Sequence, residues 1–225
     1  MWPESAKELE IEQRRLAEQW QLAELWYPPA DGRYSVGAVF LATLRWREGP
    51  GEAGETAWAA SVVYESERKI DQAILEGTLD APYTAGLLAL REGRLLEAVV
   101  RALKQRPDVL LVNASGRDHP RKAGLALHLG AVLGVPTIGV TDRPLIATGQ
   151  NALTLAGEVV GYRVRTEPNR RGVFAHAGWR VDAATARACI EAVHGSARTP
   201  EPLREARRLA RTARAERLAA PPAEL

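Results

Sequence analysis

One cysteine, Cys189, is all the sequence holds, and that scarcity removes two options at once. An internal disulfide needs a second thiol and a cysteine-rich zinc site needs several, so neither holds this chain together. A reducing cytoplasm is the expected compartment. Long apolar runs are also missing, and the opening MWPESAKELE is too charged for a leader, so a soluble cytoplasmic chain with no membrane partner is expected. Net charge is nearly absent: 30 Lys and Arg against 28 Asp and Glu leave +2. That balance neither supports nor excludes nucleic acid, since binding depends on where cations cluster. Methionine is as scarce as cysteine, while Arg and Ala abound; a GC-rich and a thermophilic source both produce that composition. No internal repeat or low-complexity segment stands out.

What is present is apolar residue enough, 46% of 225, for a sizeable core, read as one domain over 1–225. The most informative stretch is VLLVNASGRDHPRKAGLALHLG, from Val109 to Gly130. Four apolar β-formers end at Asn113, then come a small polar turn, a basic HPRK cluster and an apolar-periodic helix. This pattern predicts a buried strand delivering Asn113 to the carboxyl end of a sheet, where α/β proteins place their chemistry. Arg121 and Lys122, just before the helix, are candidates for phosphate contact, because cations and helix-terminal N–H groups attract the same anion.

In chain order, a helix is expected from Glu4 to about Trp26, with Leu9, Leu16 and Trp20 on its packing face and Pro28 and Pro29 ending it. Strands follow over Tyr34–Trp46, Thr56–Tyr64 and Lys69–Leu79, close enough together for an antiparallel meander. Leu87–Leu103 has helical period. Val109–Val112 and Val135–Val140, separated by a helix, imply parallel pairing through a right-handed crossover. A strand pair near Glu158–Thr166, a segment Gly172–Val181, a helix Ala183–His194 and an Arg-rich helix Leu203–Ala219 complete the chain. Arg204, Arg208 and Arg211 lie on neighbouring turns of the last helix, a pattern that suits either phosphates or solvent. The order describes an α/β, ribonuclease H-like mixed sheet flanked by helices.

Four segments carry a family resemblance by their order and spacing. They are PYTAGLLALREG (Pro82 to Gly93), VNASGRDHPRKAGLALHLG (Val112 to Gly130), VPTIGV (Val135 to Val140) and GVFAHAGWRV (Gly172 to Val181). The chain resembles the endonuclease V family, from IEQRRLAEQ near its start to PEPLREA near its end. The resemblance implies a nuclease that uses Mg²⁺ to cut one bond to the 3′ side of a deaminated purine, in inosine-containing DNA or RNA, with the base turned out of its stack. It implies base-pocket roles around Gly86, Leu88, Gly116, His119 and Gly124. It implies a wedge at Pro82, Tyr83, Thr84 and Ala85, where the family has Pro-Tyr-Ile-Pro; Tyr83 keeps a ring that can stack. Trp179 stands where the family commonly has histidine, and it suits either base stacking or aromatic packing. Whether a protein partner exists is left open by the resemblance.

At the family's catalytic positions the sequence departs. Two aspartates, a glutamate and a lysine are expected; Glu92 matches the glutamate, while Gly37, Asn113 and Asp142 fall at or beside the other three. A neutral amide is a poor magnesium ligand, glycine offers no side chain, and Asp142 puts a negative charge where a positive one is expected. The expectation is a nucleic-acid-binding protein whose ordinary Mg²⁺-dependent cleavage is lost, a pseudoenzyme needing no cofactor. Two alternatives stay open. One is an active Mg²⁺- or Mn²⁺-dependent nuclease with relocated ligands drawn from Glu92, Asp118, His119 and Asp142. The other is a structural or protein-interaction role.

Overall fold

A computed structural model describes residues 2–44, 49–165, 171–193 and 195–219. Trp46, Thr166 and His194, where the sequence reading ended three elements, lie outside the described residues. Helix α1, Ala6–Leu22, starts at Ser5, whose hydroxyl accepts from the Glu8 N–H at 3.2 Å. Such a cap contributes about 1 kcal/mol. The helix stops short of the expected Trp26: from Ala23 the chain is extended, and the Trp26 N–H reaches the Arg180 carbonyl at 2.7 Å. A long-range bond, not the prolines, sets that end.

The strands are β1 (Ser35–Thr43), β2 (Thr56–Glu65), β3 (Arg68–Thr78), β4 (Val109–Val112), β5 (Thr137–Thr141), β6 (Ala152–Leu155), β7 (Glu158–Val164) and β8 (Val173–Ala177). They form one sheet in the order β3-β2-β1-β4-β5-β8-β7-β6. The β1–β2–β3 meander is antiparallel, β1–β4–β5 run parallel, and β8, β7 and β6 add antiparallel edges. The expected mixed α/β sheet is therefore present. The strand pair anticipated near Glu158 turns out to be a hairpin whose first arm, β6, begins at Ala152.

Both faces of the sheet are covered, which is why β4 reads as an unbroken apolar run. Val109 and Leu111 face a core shared with α4 (Ala183–Ala192) and α5 (Glu201–Ala219), where Ile190, Leu203 and Ala206 are buried. Leu110 and Val112 face the opposite core with α2 (Leu88–Arg101) and α3 (Leu125–Leu133), where Leu96, Val99 and Leu129 are buried. Helix α1 lies over α3 through Leu16 and Leu127. Gly134, at φ +65°, ends α3 in the left-handed conformation that glycine adopts without strain. Among the described residues, no helix is long and apolar enough to cross a membrane.

The arginines of α5 point to solvent partners and neighbours of their own. Arg204 pairs with Glu201 and Arg208 with Glu205, while Arg211 sits over the Phe40 ring.

Candidate functional site

The carboxyl ends of β4 and β5 open onto a cavity of about 310 Å³. Its walls include Gln13 from α1, Tyr83, Gly86 and Leu88 from the segment entering α2, Asn113 and His119 from the β4–α3 loop, and Arg143 and Leu145 from the loop after β5. That volume sits at the small end of the roughly 300–1,000 Å³ typical of small-ligand sites. Asn113 is exposed, and Tyr83 keeps 52% of its surface open at the rim.

One backbone oxygen ties these walls together. The Gly86 carbonyl accepts from Gln13 Nε2 at 3.2 Å, Arg121 Nη2 at 2.9 Å and His119 Nε2 at 3.0 Å. Gly86 itself has φ +77°, a conformation that a side chain would strain. Because its Nε2 faces an acceptor and its Nδ1 accepts from the Arg121 N–H at 3.2 Å, His119 is the neutral Nε2–H tautomer. Burial holds its pKa down at about 4; the Gly86 carbonyl opposes that shift, and the neighbouring Arg121 adds to it.

Arg121 and Lys122, the phosphate candidates, are committed within the protein. Arg121 Nε also donates to Gln13 Oε1 at 2.6 Å, and Lys122 pairs with Glu158 at 3.0 Å. The same Glu158 receives both arms of Arg117, a fully buried guanidinium stacked 3.9 Å from the Trp20 ring centroid. Burial pushes the Glu158 carboxyl up, but these two cations outweigh it and hold it below its usual range. Gly116 and Gly124 are absent from the cavity wall. A Cβ on Gly116 would lie 2.0 Å from the Ala177 carbonyl oxygen, and one on Gly124 would lie 2.4 Å from the Ser115 carbonyl oxygen. Both allow the loop to close on backbone. Trp179 packs against Leu16, Ala123 and Leu127, so its ring serves the core.

Register fixes which residue of β1 stands level with the end of β4. Val39 pairs with Val112, whereas Gly37 pairs with Leu110, and a Cβ on Gly37 would strike Pro107 at 2.7 Å. The position level with the end of β4 is thus Val39, two residues beyond the glycine singled out from sequence, and it is equally devoid of charge. Glu92 lies one helical turn after the cavity-lining Leu88, on the same side of α2. Burial raises its carboxyl to about 7, although the neighbouring Arg91 pulls the other way.

The remaining acids are occupied. Asp118, fully buried, accepts from the N–H groups of Leu145, Ile146 and Ala147 at 2.6, 3.0 and 2.7 Å. Its carboxylate anchors the loop after β5. Asp142 pairs with Arg198 at 2.6 Å. Among the described residues, no three of His, Cys, Asp and Glu come together as a metal-holding group. Magnesium takes hard, anionic oxygens in near-octahedral array. Glu92, an amide at Asn113 and a valine at position 39 do not fit that ion.

Gln13, Arg143 and Leu145 escaped the sequence reading. For Gln13 a signal existed: it falls between Leu9 and Leu16 on the packing face of α1, and a buried polar group there requires partners.

A family model described as Endonuclease V matches residues 45–208. A protein named endonuclease V from Methanopyrus kandleri is 40% identical over 169 residues, covering 70% of this chain and 73% of that protein. The crystal structure of endonuclease V from Streptomyces avermitilis is similar at a TM-score of 0.80 and 31% identity, over 97% of this chain and 96% of that one. Ciona intestinalis endonuclease V, in complex with a 24mer DNA containing an inosine followed by a ribo-adenosine, is similar in fold at a TM-score of 0.76 and 21% identity. That likeness covers 93% of this chain and 98% of the Ciona chain.

Proposed function

The chain belongs to the endonuclease V family, and on that premise we propose that it binds deaminated purines in nucleic acid without cutting the strand by the ordinary magnesium-dependent route. The observation that carries the proposal is a half-open, polar-edged cavity beside the end of β4, where Asn113 and the paired Val39–Val112 positions carry no carboxylate. A flat base entering the cavity meets the Asn113 amide, which donates and accepts, and the exposed Tyr83 ring. Stacking of that kind contributes about 1–3 kcal/mol per base. The inosine held by the Ciona relative supports the choice of base.

Phosphodiester cleavage needs more than the ends of β4 and its neighbours offer. Negative charge grows on the phosphate oxygens during displacement, and positive groups or aimed donors must meet it. Here Asn113 and Val39 offer neither a carboxylate to hold a metal nor a cation, and the charge of Asp142 is matched by Arg198. The reading with relocated ligands loses support because Asp118 is spent on three backbone N–H groups and Asp142 on Arg198. In this reading the whole chain works as one domain, on DNA or RNA.

The test is incubation of the purified chain with single- and double-stranded DNA and RNA, with and without inosine, in Mg²⁺ and in Mn²⁺. Inosine-selective binding without cleavage is expected, weakened about tenfold or more by Tyr83→Ala. Cleavage past inosine that disappears in Glu92→Ala would overturn the loss of activity. Binding to none of these strands would favour a structural or protein-interaction role.

A further inference from the structure

We propose that a second, arginine-lined cavity beyond the end of β5 is a phosphate site. It has a volume of about 240 Å³ and is walled by Arg143, Arg163, Arg171, Arg198, Asp142 and Phe174, among others. Four guanidiniums face one carboxylate, an excess of positive charge. Two of the four are fixed by the fold. Arg198 Nη2 donates to Asp142 at 2.6 Å and its Nε to the Gly172 carbonyl at 3.1 Å, which locks the guanidinium plane. Arg163 lies over the Phe174 ring, 5.1 Å from its centroid, and its Nε is buried with no hydrogen-bond partner among the described residues. A buried donor left unmatched is costly, and an entering anion relieves it.

The other two, Arg143 and Arg171, make no side-chain hydrogen bond or ion pair among the described residues, so their donors face the cavity uncommitted. Planar forks of this kind match phosphate oxygens in pairs. Near Asp142 and Arg198, the half-buried Arg207 over the Phe40 ring has its pKa lowered by burial first and then by Arg211; Asp142 opposes the shift and Arg198 adds to it. An anion would ease that crowding too. Asp142 does not cancel the site, because one carboxylate shared with Arg198 leaves the rest of the positive charge unopposed.

Position supplies the remaining argument. Arg143 and Pro144 belong to both cavities, so the arginine site continues directly from the base cavity. A ligand with a base in the first would carry a phosphate into the second. The identity of that neighbouring group rests on the function proposed above; the phosphate chemistry does not. Two sources share it: the backbone of a strand, and the polyphosphate of a free nucleotide.

Calorimetric titration of the full chain with inorganic tripolyphosphate, inosine 5′-triphosphate, and inosine- or guanine-containing single strands tests this. Arg163→Gln and the exposed Arg171→Gln should each weaken tripolyphosphate binding about tenfold or more, while Tyr83→Ala leaves it unchanged. The same arginine variants should reduce the salt slope of strand binding by about one per lost contact. Tripolyphosphate that binds the arginine variants as tightly as the parent, or does not bind the parent, overturns the proposal. Inosine triphosphate binding well above tripolyphosphate and displacing the strand identifies a free nucleotide as the source; strand binding alone with that gain identifies the backbone. Inosine and guanine strands that bind equally yet depend on Arg171 would remove the base reading and leave the phosphate site standing.

Discussion

Replacing Asp118 with alanine removes three charge-assisted hydrogen bonds at a stroke. Its carboxylate accepts from Leu145, Ile146 and Ala147 within 3.0 Å and lies wholly out of solvent. Bonds to a charged group contribute about 1.5–3 kcal/mol each, but the three do not add. Leu145 and Ile146 are exposed residues, so their N–H groups regain water, whereas the Ala147 N–H is left buried. Removing a desolvated charge also returns part of the loss. The net expectation is a destabilisation of about 3 kcal/mol, which in a chain of this size lowers Tm by roughly 6–12 °C. Urea unfolding should show a lower midpoint with an unchanged m value. Because Pro144 and Leu145 line the base cavity, binding of inosine strands should weaken as well. Asp118→Asn keeps one oxygen in place and should retain about half the stability. An Asp118→Ala chain that unfolds at the parental urea concentration, or a parent whose Mg²⁺-dependent stabilisation vanishes with Asp118, would refute the anchoring role.

Glu92 should behave in the opposite sense. Its carboxyl is raised to about 7 in the fold, so its ionised form is disfavoured there; the penalty is absent below the unfolded value of 4.5 and complete above about 7. Glu92→Gln should therefore stabilise the chain by about 1–2 kcal/mol at pH 8, discounted for partial exposure, and leave it unchanged at pH 4, as read by urea midpoints. His128 is stacked on Trp2 with centroids 4.4 Å apart, and neither of its ring nitrogens has a hydrogen-bond partner among the described residues. Burial lowers its pKa from 6.5 to about 4, so the neutral ring's stability is whole above pH 6.5 and is lost as pH falls toward 4. His128→Phe keeps the stack, should raise stability by about 1 kcal/mol at pH 7 and should flatten the urea midpoint between pH 6.5 and 4. Gly116→Ala, which drives a methyl into the Ala177 carbonyl oxygen, should cost about 1–3 kcal/mol by thermal unfolding and weaken strand binding.

Local pattern made most of the scaffold legible. The VLLV run, the meander and the helical period of α2 each announce themselves within ten or so residues, because burial on one or both faces writes directly into residue type. What escaped depends on distant parts of the chain. Asp118 is a candidate metal ligand in the sequence until residues 145–147 close over it. Arg121 and Lys122 look like idle cations until Gln13 and Glu158 claim them. The β1 position level with the end of β4, Val39, follows from strand register, which an all-apolar strand does not specify by itself. ALTL, four residues with no alternation to speak of, gives β6 no signature apart from its hairpin partner.

The oxygen of Gly86 is a common fastening for three pieces of chain that are far apart in sequence. A knot of that kind makes the binding chamber a product of the finished tertiary structure: no fragment lacking the first helix contains all of its walls, and tension on any one tether is felt by the other two.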